Sequence, residues 1–178
     1  MKKLNFYYLT IEELNKLSQY DLTGRQDLAA IRDLFILQCI TGIRKPDLLA
    51  LTSANVIGET LQYVERKTNK VIHVQLTSSA KQIVERDRCN DQSALFPPLL
   101  VAKYNQSIKE ALRLAGINRV VAVMNPKTGI EESHPIYEVA SSTLARRSFL
   151  ANLSMNITPE LISKLTGHAE SKSKTKNI

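Results

Sequence analysis

The stretch from Arg25 to Ile40, RQDLAAIRDLFILQCI, constrains the fold more than any other. Its spacing predicts a long helix, yet the apolar residues are not confined to one stripe. From Leu34 to Ile40 they cover most faces. A helix of that kind has no face suited to water, so it must be surrounded by other elements. Thr41-Gly42 then stops it. The rest of the chain is therefore expected to pack around one central helix. With 178 residues and a 43% hydrophobic fraction, there is enough apolar surface for one domain with a real core, or one domain and a short tail.

The surrounding elements follow from local signals. Thr10 with Glu13 forms an S/T-x-x-E capping box, and Ile11, Leu14 and Leu17 follow at helical spacing. KPDLLAL reads as a short helix with Pro46 in its first turn, where a missing N–H costs nothing. The period then changes to two. TLQYVERKTNKVIHVQL alternates, with Leu61, Tyr63 and Glu65 on one face and Thr68-Asn69 between two halves, which predicts a β-hairpin. TSSAKQIVERD returns to helix, FPPLL is a break, and VAKYNQSIKEALRLAGI is an amphipathic helix ended by Gly116. RVVAVMNPKTGIEESHPIYEV reads as strand, turn, strand. SSTLARRSFLANLSMN is a helix led by serines that can cap it, and TPELISKLTGH is another, ended by Gly167. AESKSKTKNI has almost no apolar content and reads as a solvated tail. There is no internal repeat. The fold expected is mainly α with a small antiparallel β-sheet.

Composition removes several classes of function. No apolar run approaches the roughly 20 residues of a membrane span, so no membrane partner is expected. MKKLNFYYLT lacks the apolar segment of a signal peptide, which argues for the cytoplasm. Cys39 sits in the apolar run as a small core residue, and with Cys89 it makes no disulfide framework. There is no Cys/His ligand spacing, and His73, His134 and His168 are scattered, so neither a metal nor a cofactor is expected. The formal charge of +7 favours a polyanionic partner, most often nucleic acid; a well-solvated basic surface explains it equally.

Four cationic positions stand at structural punctuation. Arg44 follows the helix stop, Lys67 lies at the hairpin tip in RKTNK, Arg146 opens a helix in TLARRSF, and His168 follows a helix stop in LTGH. Together they could face one phosphate, since guanidinium forks match phosphate oxygens and a lysine or histidine can serve a leaving oxygen. Each alone has a plainer explanation. Arg44 and His168 suit helix ends, where the dipole favours cations. Lys67 is one of three basic turn residues with Arg66 and Lys70, and Arg146 competes with Arg147, which would otherwise reach DNA backbone or solvent. Lys172, Lys174 and Lys176 form a solvated run or a weak, salt-sensitive DNA contact.

TGIRKPDLLAL, ERKTNK, LARRSF and KLTGH, in that order, resemble the catalytic domain of tyrosine recombinases, within them the integrases of bacterial mobile elements. The resemblance runs from about Tyr8 to His168. It implies the DNA breaking-rejoining fold and double-stranded DNA as partner. It implies Arg44, Lys67, Arg146 and His168 as catalytic residues, with Asp47 as the supporting acid placed to hold Arg44. The implied chemistry is strand cleavage and rejoining through a 3′-phosphotyrosine, without metal or cofactor.

Two positions depart from the family pattern. The motif histidine falls on Thr143, whose hydroxyl can contact a phosphate oxygen but is a poor proton acceptor. The nucleophilic tyrosine falls on Asn177, and no tyrosine follows Tyr137. The expectation is a single catalytic-like domain over residues 1–168 with a polar tail over 169–178, and no N-terminal core-binding domain. It is an excised segment, a remnant or a short paralogue, without a nucleophile. The residues after His168 are too few and too polar for exchange between subunits, so a monomer is expected off DNA.

Overall fold

The structure, a computed structural model, describes residues 7–86, 94–96 and 103–154. The helix expected over TPELISKLTGH, His168, Cys89 and the lysine-rich tail lie outside the described residues.

Helix α1 (Ile11–Gln19) opens on the expected capping box. The Glu13 amide donates to Thr10 Oγ1 at 3.2 Å, and the Thr10 amide donates to Glu13 Oε2 at 2.9 Å. Helix α2 (Gln26–Thr41) is the central element, packed against helices on several sides. Leu34 and Leu37 are fully buried, as is nearly all of Phe35. Each such side chain contributes roughly 2 kcal/mol relative to leaving it in water. Cys39 is part of this core, and burial pushes its thiol pKa up. Gly42 ends the helix with φ +70, a left-handed conformation that glycine adopts without steric cost.

Helix α3 (Lys45–Leu48) carries Pro46 in its first turn. A 3-10 turn (Ser53–Asn55) leads into strand β1 (Val56–Ile57). Strands β2 (Thr60–Glu65) and β3 (Lys70–Gln75) form the expected hairpin, paired from Thr60↔Gln75 to Glu65↔Lys70. Its turn is closed by the Asn69 amide on the Glu65 carbonyl at 2.8 Å. Leu61, Tyr63 and Glu65 all face inward, as the alternation predicts.

Helix α4 (Ser78–Arg86) and helix α5 (Tyr104–Leu114) cover α2. In α5, Tyr104, Ile108, Ala111 and Leu112 make the buried stripe. Strands β4 (Val120–Met124) and β5 (Glu131–Pro135) pair only with each other among the described residues. Helix α6 (Ser142–Ser154) then packs along α2.

One expectation is refined. The antiparallel strands form two separate sheets, a three-stranded β1-β2-β3 and a two-stranded β4-β5. The alternation in the second hairpin buries little, since Val121 is inside while Val120 and Met124 are more than half exposed. It does not extend the first sheet. No helix among the described residues is long and apolar enough to cross a membrane.

Candidate functional site

The end of α2 builds the site. Beyond Gly42 the chain is locked by side chains of the core. Gln38 Nε2 donates to the Ile43 carbonyl at 3.0 Å, and the buried Tyr104 hydroxyl donates to Gln38 Oε1 at 2.7 Å. Ile43 is itself buried. With Ile43 fixed, Arg44 leaves the loop in an extended conformation, at the N-terminal boundary of α3, with its side chain 24% exposed.

Gly42 joins this loop to α6. Arg146 Nη1 donates to the Gly42 carbonyl at 2.9 Å. On the other side the Phe149 ring packs so close that a Cβ on residue 42 would fall inside its carbon atoms. The TGIR and ARRSF motifs thus interlock at a glycine whose missing side chain is required twice, by φ and by space.

The two arginines meet over a carboxylate that sequence reasoning did not single out. Glu65 is 3% exposed at the end of β2. Its Oε1 accepts from Arg44 Nε at 2.8 Å and lies 4.0 Å from Arg146 Nη1, and its Oε2 accepts from the Thr68 hydroxyl at 2.7 Å. Burial opposes its charge, but the Thr68 and Arg44 hydrogen bonds and the two nearby guanidiniums outweigh that and hold its pKa below the ordinary carboxylate value. Arg146 is shifted down, first by burial and then by the like charge of Arg44. A guanidinium remains charged under such a shift. The signal for Glu65 was in the sequence. The same alternation that buries Leu61 and Tyr63 buries this acid, and a buried carboxylate demands a cation.

Asp47 supports the site differently from the sequence expectation that it holds Arg44. Its Oδ1 accepts from the Arg66 backbone amide at 3.1 Å, so it fixes the hairpin end, while Glu65 holds Arg44. Lys67 is exposed in the turn, anchored on one side by that Asp47 bond and on the other by Thr68 on Glu65. It touches neither arginine in this structure. Thr143 is exposed in the first turn of α6, one turn before Arg146 and on the same helical face.

Arg147 is not directed to solvent alone, since its guanidinium lies over the Tyr7 ring, 4.9 Å from the centroid. That leaves Arg146 as the arginine of this pair that faces Arg44. His134 is in β5, 3.2 Å from Glu132 and 3.6 Å from Glu138, and takes no part in the site. A cleft of about 240 Å³ adjoins Arg146 and Glu65, lined mainly by apolar side chains from α2, β3 and α6. Tyr63 also lines it. Burial, then the Asp47 and Glu65 charges, push its pKa up to about 12. Such a hydroxyl is the reverse of an activated nucleophile.

No family model matches the sequence, and no curated protein matches it. The fold is matched among solved structures. The crystal structure of XerA recombinase superposes with a TM-score of 0.65 at 16% identity, covering 92% of this chain and 56% of that one. The lambda integrase catalytic core gives a TM-score of 0.62 at 16% identity, covering 93% and 94% of the two chains. A lambda integrase dimer bound to a COC′ core site gives 0.61 at 16% identity, covering 100% of this chain and 63% of that one. The chain has the fold of a tyrosine recombinase catalytic domain. It spans little more than half the length of the XerA chain and nearly the whole of the lambda catalytic core.

Proposed function

We propose that this domain binds duplex DNA by clamping a backbone phosphate between Arg44 and Arg146, as the catalytic domain of a site-specific tyrosine recombinase or integrase. The observation that carries the reading is the convergence of these two partly exposed guanidiniums, from elements far apart in the chain, at one buried carboxylate. The +7 charge and the fold shared with a lambda integrase bound to its core site support it. In this reading Lys67 reaches the leaving 5′ oxygen from its turn, and His168 and Thr143 add phosphate contacts. Asp47 and Glu65 keep the cations in place. No metal or cofactor enters. The test is duplex binding by anisotropy across a salt series. Arg44→Ala and Arg146→Ala should each weaken binding and flatten the log K against log salt slope by about one unit. Unchanged affinity and slope would rule out the clamp.

A second reading has its own support. The sequence has no tyrosine after Tyr137, and Thr143 stands where the family has histidine. A non-catalytic DNA-binding protein derived from an integrase accounts for both. A nicked suicide substrate separates the two, because it traps a 3′-phosphotyrosine when cleavage occurs. The chain of Met1–Ile178 should yield no covalent adduct while still binding the duplex. An adduct would show that another residue supplies the nucleophile.

A further inference from the structure

Glu65 has a geometry that a simple structural ion pair does not need. It takes its hydrogen bond from Nε of Arg44 rather than from the terminal nitrogens of that guanidinium. The same oxygen lies 4.0 Å from Arg146. The side chains of Arg44 and Arg146 are 24% and 20% exposed, whereas that of Glu65 is 4% exposed. The charges are therefore layered, with cations outside and the anion behind them. An approaching phosphate meets the arginines first and does not have to displace the carboxylate. The second oxygen is engaged by Thr68, within the turn that carries Lys67. Two guanidiniums this close repel each other, and Glu65 lies within 4.0 Å of both.

We infer that Glu65 is the internal counter-anion of the phosphate site, a positioning residue that holds Arg44 and Arg146 side by side before DNA arrives and attenuates their pull on it. The inference rests on reading those arginines as phosphate ligands. Without Glu65 the pair loses the carboxylate that both guanidiniums face.

Glu65→Gln keeps the size and one acceptor oxygen but removes the charge. In phosphate-free buffer it should lower the melting temperature by about 5 °C or more, the scale expected when the buried partner of an ion pair is removed from a domain of this size. Inorganic phosphate at millimolar concentration should restore part of that loss, and should raise the variant's melting temperature more than the wild type's. The variant's duplex binding should also show a salt slope steeper by about one unit, since the site gains one net positive charge. Thr68→Val is the control. It removes a hydrogen bond but no charge, so it should melt lower with no greater phosphate response than wild type.

If Glu65→Gln gains no more from phosphate than wild type does, or stays unfolded at every phosphate concentration, the inference is wrong. Arg44→Ala in the wild-type background separates this from the parent reading. Weakened duplex binding there, with no extra phosphate response in Glu65→Gln, removes the counter-anion alone. Unchanged duplex binding in Arg44→Ala removes the phosphate clamp, whatever Glu65→Gln does.

Discussion

Gly42 shows how much one residue can determine at this site. It terminates α2, it gives its carbonyl to Arg146, and it leaves the space that Phe149 fills. Gly42→Ala should cost roughly 2–5 kcal/mol, combining a left-handed alanine with overpacking against a ring. It should also weaken duplex binding, because the carbonyl that orients Arg146 must shift. Gly58 is the internal comparison, with φ +58 but nothing within 4 Å of an added Cβ. Gly58→Ala should carry only the backbone part, about 1–2 kcal/mol. Urea unfolding of the two variants checks this, and equal losses would mean the Phe149 contact carries no cost. At this scale the sequence revealed the cations more readily than what holds them. Arg44 stands out because it follows the helix stop, and Arg146 because it opens a helix. The alternation puts Glu65 on the inward face, but its partner Arg44 becomes visible only when the hairpin packs against α3. The contact of Arg147 with Tyr7 is invisible in the sequence for a similar reason, since the two are far apart in the chain.

The elements with a sustained period were legible, and so was the short α3 from its proline, whereas β1 and the 3-10 turn were not. The long apolar run gave the central α2, the alternation around ERKTNK gave β2 and β3, and the capping box gave the start of α1. The two-residue β1 and the 3-10 turn before it have no periodic signal, being set by Asn55 bonding to Thr52 and to the Gln62 carbonyl. That the strands form two sheets could not be read from alternation, which specifies faces and not partners. Helix α6 is the clearest case of an element with two tasks. One side carries Arg146 and Phe149 to Gly42. Another grips the chain before α1, where the Leu9 amide donates to Ser148 Oγ at 2.8 Å and Asn152 Nδ2 donates to the Leu9 carbonyl at 3.0 Å. Ser141, leading this helix, caps it as the sequence predicts, accepting from the Thr143 amide at 3.3 Å, and Ser148 is fully buried in its middle. Ser148→Ala leaves the buried Leu9 amide unpaired and should destabilise the domain by about 1–3 kcal/mol. A loss below about half a kcal/mol in chemical denaturation would show that water or a local shift replaces the bond.

At the scale of the molecule, one helix organises everything else. The centre of the domain is apolar α2, and its exit supplies Arg44. The first sheet leans on that exit through α3 and delivers Glu65 and the Lys67 turn. Helix α6 closes the arrangement from the far end of the chain. The arginines therefore come together because the core packs, not because they are near in sequence. This explains how a recombinase catalytic fold is retained at 16% identity to XerA recombinase and lambda integrase. Packing tolerates exchange of apolar residues of similar size, whereas the convergence requires the particular residues at Gly42, Arg44, Glu65 and Arg146. The most direct test of that convergence is a double-mutant cycle on duplex DNA affinity with Arg44→Ala, Arg146→Ala and the pair, each checked for melting temperature. If both arginines hold one phosphate, the double variant should lose clearly less than the sum of the single losses, with a coupling of about 1 kcal/mol or more. Strictly additive losses, or single variants that bind as tightly as wild type, would contradict the account.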